Sequence, residues 1–202
     1  LYAECKIYMW LHCSTTPPSN PTETNPKPPK PPVPLPYVHH YGLLPGNPPK
    51  NILIMSMLGE SLQSIVENPI TGRKFSLIFV AHRIDFFSFS SKVNNNNPSK
   101  IYPMTLKSGL MVMMKVLKQI EFLHSRRIIH RDIKPANFLM GNPKDKVSKY
   151  EIYLVDFGFA KKYCRKNGQH IAERKGRSMT GTIRYCSMNV HMGCEQGRRD
   201  DL

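Results

Sequence analysis

Eight consecutive residues carry most of the chemistry this sequence could do: His130-Arg131-Asp132-Ile133-Lys134-Pro135-Ala136-Asn137. Asp156-Phe157-Gly158 follows after two short apolar runs. An aspartate, a lysine, an asparagine and a second aspartate in this order suit phosphoryl transfer. That reaction needs positioning and charge neutralisation more than covalent chemistry. Asp132 can orient an attacking hydroxyl and take its proton late. Lys134 can reach the transferring phosphate and stabilise developing charge. Asn137 and Asp156 offer hard oxygen donors of the kind magnesium takes alongside phosphate. Gly158 gives the second loop the backbone freedom to switch. His130 reads as a packed, structural histidine, and Arg131 as a charge that can bind an anion on the loop after Asp156. A surface loop holding these residues by coincidence is the competing reading. Both motifs are complete, in order and in strand-and-loop context, which argues against it.

These loops need elements to hold them. In 105–124, Leu106, Leu110, Met113, Leu117, Ile120 and His124 fall on one helical face, with Thr105 as the N-cap. The methionines at 111, 113 and 114 read as core packing. This helix delivers the chain to His130. Phe138-Leu139-Met140 and Ile152-Tyr153-Leu154-Val155 read as short strands that bring Asn137 and Asp156 to one cleft. Upstream, Leu1, Cys5, Tyr8 and Leu11 have helical spacing, with Glu4 on the same segment. Tyr37 and Val38 begin a strand, Pro45-Gly46-Asn47-Pro48 turns, and Asn51–Met55 is a second strand. A helix follows over Ser61–Val66. From Lys161 to Arg184 the chain is basic and aperiodic, which predicts a long loop with its charges toward solvent or a ligand.

Two segments break the pattern. Residues 14–36 are proline-rich and exclude helix and sheet. A Pro-x-x-Pro ligand is conceivable there, but Lys27 and Lys30 lack the register, so a surface insertion is expected. Residues 78–104 hold Asn94-Asn95-Asn96-Asn97-Pro98 and read as a low-complexity insertion.

The chain has 202 residues, of which 40% are hydrophobic and 21% charged, and a net charge of +15. The length is ample for a packed core and the balance is globular. The positive excess implies affinity for anions: nucleic acid, an acidic membrane surface, or acidic or phosphorylated protein. Specific nucleic-acid binding is disfavoured, because no basic strand interleaved with aromatics occurs. The five cysteines form no C-x-x-C pair and are odd in number. Neither a zinc site nor a disulfide framework is expected, and a reducing compartment fits. No apolar run approaches the roughly 18 residues of a membrane helix. The chain starts at Leu1 without a signal peptide, and both ends read as the middle of something longer.

The two loops have the form of a protein-kinase catalytic loop and metal-binding loop. Thr180-Gly181-Thr182-Ile183-Arg184-Tyr185, followed by Ser187-Met188-Asn189, narrows this. The segment resembles the casein kinase I family, which carries S-I-N where most kinases have A-P-E. Asp156–Tyr163, Asn137–Gly141, His191–Gln196 and Arg198–Leu202 are also similar to it, so the resemblance covers most of 105–202. Leu58–Leu62 resembles the family's hinge, and Leu1–Leu11 its small-lobe regulatory helix.

The resemblance implies an α+β, bilobal kinase-like fold, present as the end of the small lobe plus the first half of the helical large lobe. Residues 1–202 would then be a partial kinase domain carrying two insertions. It implies Asp132 and Lys134 as catalytic residues, and Asn137 and Asp156 as magnesium ligands. Met55 would be the gatekeeper, Leu58 the hinge residue at adenine, and Leu139 and Val155 the other wall of the ATP site. Glu4 would be the helix carboxylate that pairs with an ATP-contacting lysine. Arg184 would read an acidic or phosphorylated group on the substrate, with Arg131, Lys161 and Arg177 at a second anion site. Family members phosphorylate serine and threonine and do not require activation-loop phosphorylation.

Departures qualify the match. No G-x-G and no V-A-I-K-like strand occurs, so both are expected before residue 1. Ala136 replaces an acidic residue and Ser56 a hinge glutamate. The expectation is an ATP- and magnesium-dependent serine/threonine kinase acting on acidic or pre-phosphorylated proteins. It would be a monomer of the cytoplasm, the nucleus or both, without a membrane partner. The alternative is a catalytically dead fragment or pseudokinase that binds substrates. These 202 residues alone are expected to fold poorly and turn over weakly.

Overall fold

The computed structural model describes residues 1–12, 32–67, 106–165 and 167–202. Thr105, the 78–104 insertion and most of the 14–36 insertion lie outside the described residues. The described chain is a mixture of helices and small antiparallel sheets, as the sequence predicts.

Helix α1 (Tyr2–His12) buries Cys5, Tyr8 and Leu11 on one face. Leu1, on the same predicted stripe, is 52% exposed because it precedes the helix. Strands β1 (Val38–Leu44) and β2 (Lys50–Met55) form an antiparallel pair with Val38 opposite Met55 and Leu44 opposite Lys50. A short helix, α2 (Leu62–Glu67), follows; the Ser61 hydroxyl accepts from the Ser64 N–H at its start.

Helix α3 (Leu106–Ser125) is the longest described element. Its buried side is not the whole of the predicted one. Gln119, Ile120 and Leu123 are buried, and Val112 and Val116 pack on the same core. Leu106, Leu110, Met113, Met114 and Leu117 are exposed, so the stripe from 106 to 117 is not core here; of the methionine cluster only Met111 is half-buried. The helix has apolar residues on two sides, and its contact with β5 (Ile152–Leu154) selects one of them. Gln119 fixes the choice: its Nε2 donates to Ile152 O at 2.7 Å and to Pro34 O at 3.0 Å. Lys115 adds bonds to Tyr150 O and to the Glu151 carboxylate.

Beyond α3, β3 (Ile128–Ile129) pairs with β6 (Lys161–Lys162), and β4 (Phe138–Met140) pairs with β5. Lys161 thus opens a strand where a loop is predicted; two residues are too few to show a period. Helix α4 (Met188–His191) is capped by Ser187, whose hydroxyl accepts from the Val190 N–H. The core gathers Tyr8, Leu11, Leu123, Ile128, Phe138, Met140, Ile152, Leu154 and Phe157 from α1, α3 and the small strands. It lies directly beneath the two loops of interest. The four described cysteines are free thiols. No described helix is long and apolar enough to cross a membrane.

Leu123 and Leu117 differ in burial on α3, at 1% and 46% exposure. Leu123→Ala should cost about 2–5 kcal/mol. Leu117→Ala should stay within about 0.5 kcal/mol. Denaturant unfolding of both variants checks this, and equal losses would contradict the burial pattern.

Candidate active site

The segment from His130 to Asn137 crosses between β3 and β4 on a scaffold of backbone hydrogen bonds. Asp201, buried at the end of the turn Arg198–Asp201, accepts from the His130 N–H at 2.8 Å and the Arg131 N–H at 2.9 Å. Its Oδ2 also meets His124 Nε2 at 2.9 Å. Arg131 takes φ 69°, a left-handed conformation that costs a non-glycine residue energy. The bend turns Asp132 inward, and that residue is only 4% exposed.

His130 is wholly buried, and its two ring nitrogens have opposite jobs. Nε2 faces Val155 O at 3.1 Å and must donate; Nδ1 accepts from the Asp132 N–H at 3.3 Å. Only the neutral imidazole satisfies both. Burial holds the His130 pKa below its ordinary value, against the pull of Asp201 and the Val155 carbonyl.

The Asp132 carboxylate is held from both sides. Lys134 Nζ donates to Oδ2 at 2.8 Å. The Thr182 N–H and hydroxyl donate to Oδ1 at 2.8 and 2.7 Å. Lys134 also reaches the Thr182 oxygen at 2.9 Å, closing a ring of three side chains. Burial pushes the Asp132 carboxyl up, but the bonds from Lys134 and Thr182 outweigh it, so its pKa lies below the usual carboxylate value. Thr182 has no predicted site role, although it lies in the Thr180–Tyr185 segment. Gly181 explains how it arrives: at φ 103°, a Cβ on Gly181 would lie 2.4 Å from Arg131 O. Only glycine lets the two backbones approach this closely.

Asn137 and Asp156 meet at one end of the β4–β5 pair. Phe138 lies opposite Leu154, and the Val155 N–H donates to Asn137 O at 3.0 Å. Asn137 Nδ2 donates to Asp132 O at 2.9 Å, so its Oδ1 is the atom left to meet a cation. Asp156 has φ 66° and an exposed side chain. Its N–H donates to the Tyr8 hydroxyl at 3.2 Å, which anchors the loop to α1. The Phe157 ring stands edge-on to Tyr8 at 4.8 Å and packs on His130 at 5.2 Å.

Glu4 projects from α1 toward this loop. Burial raises its pKa, the Asp156 charge raises it further, and a bond from the Phe157 N–H opposes them. Asn137 Oδ1 and the Asp156 carboxylate are hard oxygen donors that fit magnesium, which keeps few protein ligands and shares the rest with phosphate and water.

The predicted nucleotide wall is assembled by backbone pairing. The Gly59 N–H donates to Met140 O, the Met140 N–H donates to Glu60 O, and Ser61 bridges to Leu139. This carries Leu58 past Leu139, while Val155 follows β5. All three are half-buried, as is Met55 at the end of β2.

The predicted cations divide. Lys161 and Arg177 both bind the Glu195 carboxylate, at 2.5 and 3.3 Å. Arg131 lies within the field of the same carboxylate and donates from Nε to Phe159 O at 2.6 Å. Arg184 makes none of these contacts. It is exposed, with its guanidinium 5.9 Å from the Tyr185 ring centre.

The protein kinase domain family model matches residues 76–201, well over half of the chain. This chain belongs to the protein kinase family. The α+β architecture is accordingly a kinase-domain fold, and the domain's activity is ATP-dependent phosphorylation of protein, with a divalent metal. The ring of Asp132, Lys134 and Thr182 lies inside the matched region, as do Asn137 and Asp156.

The neutral state of His130 gives the kinase domain a pH signature. Its folded pKa is depressed, so its contribution is complete above the unfolded value near 6.5. It is lost as pH falls below that value, by at most about 1.4 kcal/mol per pH unit. Glu4 acts in the opposite sense, since folding raises its proton affinity. Melting curves from pH 7.5 to about 5.5 should therefore show a decline that is smaller in His130→Phe. An identical slope in both proteins would contradict the neutral assignment.

Proposed function

We propose that this chain is a casein kinase I-like serine/threonine protein kinase. On this reading it transfers the γ-phosphoryl group of ATP to hydroxyls flanked by acidic or phosphorylated residues. The carrying observation is the ring of Asp132, Lys134 and Thr182, a buried carboxylate already accepting a side-chain hydroxyl at 2.7 Å. An incoming serine or threonine hydroxyl needs the same kind of acceptor.

Asp132 orients that hydroxyl and takes its proton late; its lowered pKa keeps it ionised and ready to accept. Lys134, bonded to Asp132 Oδ2, extends a positive charge toward the transferred group. Asn137 Oδ1 and the Asp156 carboxylate would hold magnesium, which neutralises phosphate charge. Leu58, Leu139, Val155 and Met55 line an apolar wall for the adenine, and Glu4 is the carboxylate for the ATP-contacting lysine. The acidic preference is supported by the net charge of +15 and by exposed Arg184, free to meet a carboxylate or phosphate on the substrate. The casein kinase I assignment is supported by the Thr180–Asn189 segment, including the Gly181 that brings Thr182 onto Asp132. On this reading the protein works as a monomer in the cytoplasm, the nucleus or both, on protein substrates and without a membrane or specific nucleic-acid partner.

Transfer from ATP and magnesium to an acidic serine peptide tests the reading. Asp132→Asn should lower turnover by roughly 10²–10⁴-fold. Arg184→Ala should raise KM for the acidic peptide while leaving a neutral peptide and kcat unchanged. Turnover that survives Asp132→Asn would sink the catalytic assignment. An Arg184→Ala protein equally active on both peptides would sink the substrate assignment alone.

A further inference from the structure

The turn Arg198–Asp201 carries two adjacent carboxylates, and only Asp201 has a part in the site described so far. Asp201 accepts from the His130 and Arg131 N–H groups of the catalytic loop. Asp200 serves a different segment, with a side chain only 3% exposed. The Ser187 hydroxyl donates to its Oδ1 at 2.6 Å, and the Gly197 N–H donates to its Oδ2 at 2.7 Å. The Asp200 N–H returns a bond to Gly197 O, which closes the turn on itself. Arg199 Nε lies 3.8 Å from Oδ2, on a side chain 56% exposed.

Ser187 has one hydroxyl proton and gives it to Asp200. Its oxygen lone pairs are then turned to the Val190 N–H at 3.4 Å, the bond that caps α4. The carboxylate thus fixes both the place of Ser187 and the direction of its hydroxyl. Between Thr182 and Ser187 the chain makes a single turn, Ile183–Tyr185. The Tyr185 N–H donates to Thr182 O at 2.8 Å, and the Cys186 N–H donates to Ile183 O at 3.3 Å. Ile183, Arg184 and Tyr185 are all exposed on this turn. Its two ends rest on two buried carboxylates, Thr182 on Asp132 and Ser187 on Asp200. The second is the chain neighbour of the carboxylate that holds the catalytic loop.

We propose that Asp200 is a positioning residue: through Ser187 it fixes the Ile183–Tyr185 turn, and with it Arg184, relative to Asp132, and so sets the preference for acidic substrates. The inference rests on the reading of Arg184 as the cation for substrate. Thr182 is held at its own end by Asp132 and Lys134, so Asp200 governs the far end of the turn. Arg184 is an exposed, rotamer-rich side chain. Holding an anion already costs it side-chain freedom, and a turn free to move would add a backbone cost to that. The Ser187 bond removes the second cost before the substrate arrives.

Peptide binding without ATP, together with amide exchange, tests this in the full chain. The probes are an acidic serine peptide and a neutral one of equal length, and the readout is the acidic-over-neutral selectivity from their Kd values. Arg184→Ala should lower that selectivity roughly two- to fivefold. Ser187→Ala should lower it in the same range and add nothing in the Arg184→Ala background. Ser187→Thr keeps the hydroxyl and should hold the unmodified value. Asp200→Ala should match Ser187→Ala, and the double variant should go no further than either. Although Ser187 is intact in Asp200→Ala, exchange at its Val190 amide should quicken about fivefold. Unchanged exchange there would overturn the proposal. So would variants that weaken both peptides alike, which is what a role confined to stability predicts. A selectivity lost in Arg184→Ala but kept in Ser187→Ala overturns this proposal and leaves the substrate reading standing; a selectivity kept in Arg184→Ala overturns both. Should Asp200→Ala not fold, Ser187→Ala and Ser187→Thr decide alone, and equal selectivity in the two overturns the proposal. None of these readouts needs phosphoryl transfer, so failure of the kinase chemistry is separable from failure here.

Discussion

The carboxylate of Asp201 accepts the N–H groups of His130 and Arg131 and meets His124, and it does so while buried. The candidate site depends on this one constraint. Arg131 adopts a left-handed backbone that costs on the order of 1–3 kcal/mol. A charge-assisted hydrogen bond to its N–H contributes about 1.5–3 kcal/mol, enough to offset that cost. Without the bend, the chain would run straight from β3 to β4, and Asp132 would not turn toward Lys134 and Thr182. Asp201 brings two loops together through main-chain donors, so the identity of the Arg131 side chain is free for other work.

From Asp201 a column of packed groups crosses the core. His130 bears on Phe157, Phe157 meets Tyr8 edge-on, and the Tyr8 hydroxyl accepts from the Asp156 N–H. One end of the column sets Asp132 and the other sets Asp156. Asp132 and Asp156 lie on different loops, but each is fixed by a bond to this column: the Asp132 N–H to His130 Nδ1, the Asp156 N–H to Tyr8. Burial pushes the Tyr8 hydroxyl pKa up, so it remains a neutral phenol able to accept there. Displacement of α1 would therefore be felt at Asp156 before it was felt at Asp132.

Much of this could be read in the sequence. The residues from His130 to Asn137 and Asp156–Gly158 are local, and the short strands flanking them keep a simple apolar pattern. The buried face of α1 follows from Cys5, Tyr8 and Leu11 at helical spacing. What could not be read is long-range. The stripe from Leu106 to Leu117 looks like a core face, but a helix with apolar residues on two sides leaves its buried side to its neighbours; Gln119, a polar residue, marks that side instead. Lys161 reads as a charge for solvent or a ligand because nothing local signals a carboxylate 34 positions away. Thr182 reads as loop because its role arises only once Gly181 has closed on Arg131.

The most direct measurement of the account is made on Asp201→Asn, reading amide exchange at His130 and Arg131 alongside phosphoryl transfer. The two N–H groups bond to different oxygens of Asp201, so an amide in its place sets an NH2, itself a donor, against one of them. The account predicts that at least one of the two amides loses protection and that transfer falls with it. Protection of both amides at the level of the unmodified protein, or transfer undiminished by their loss, would contradict it.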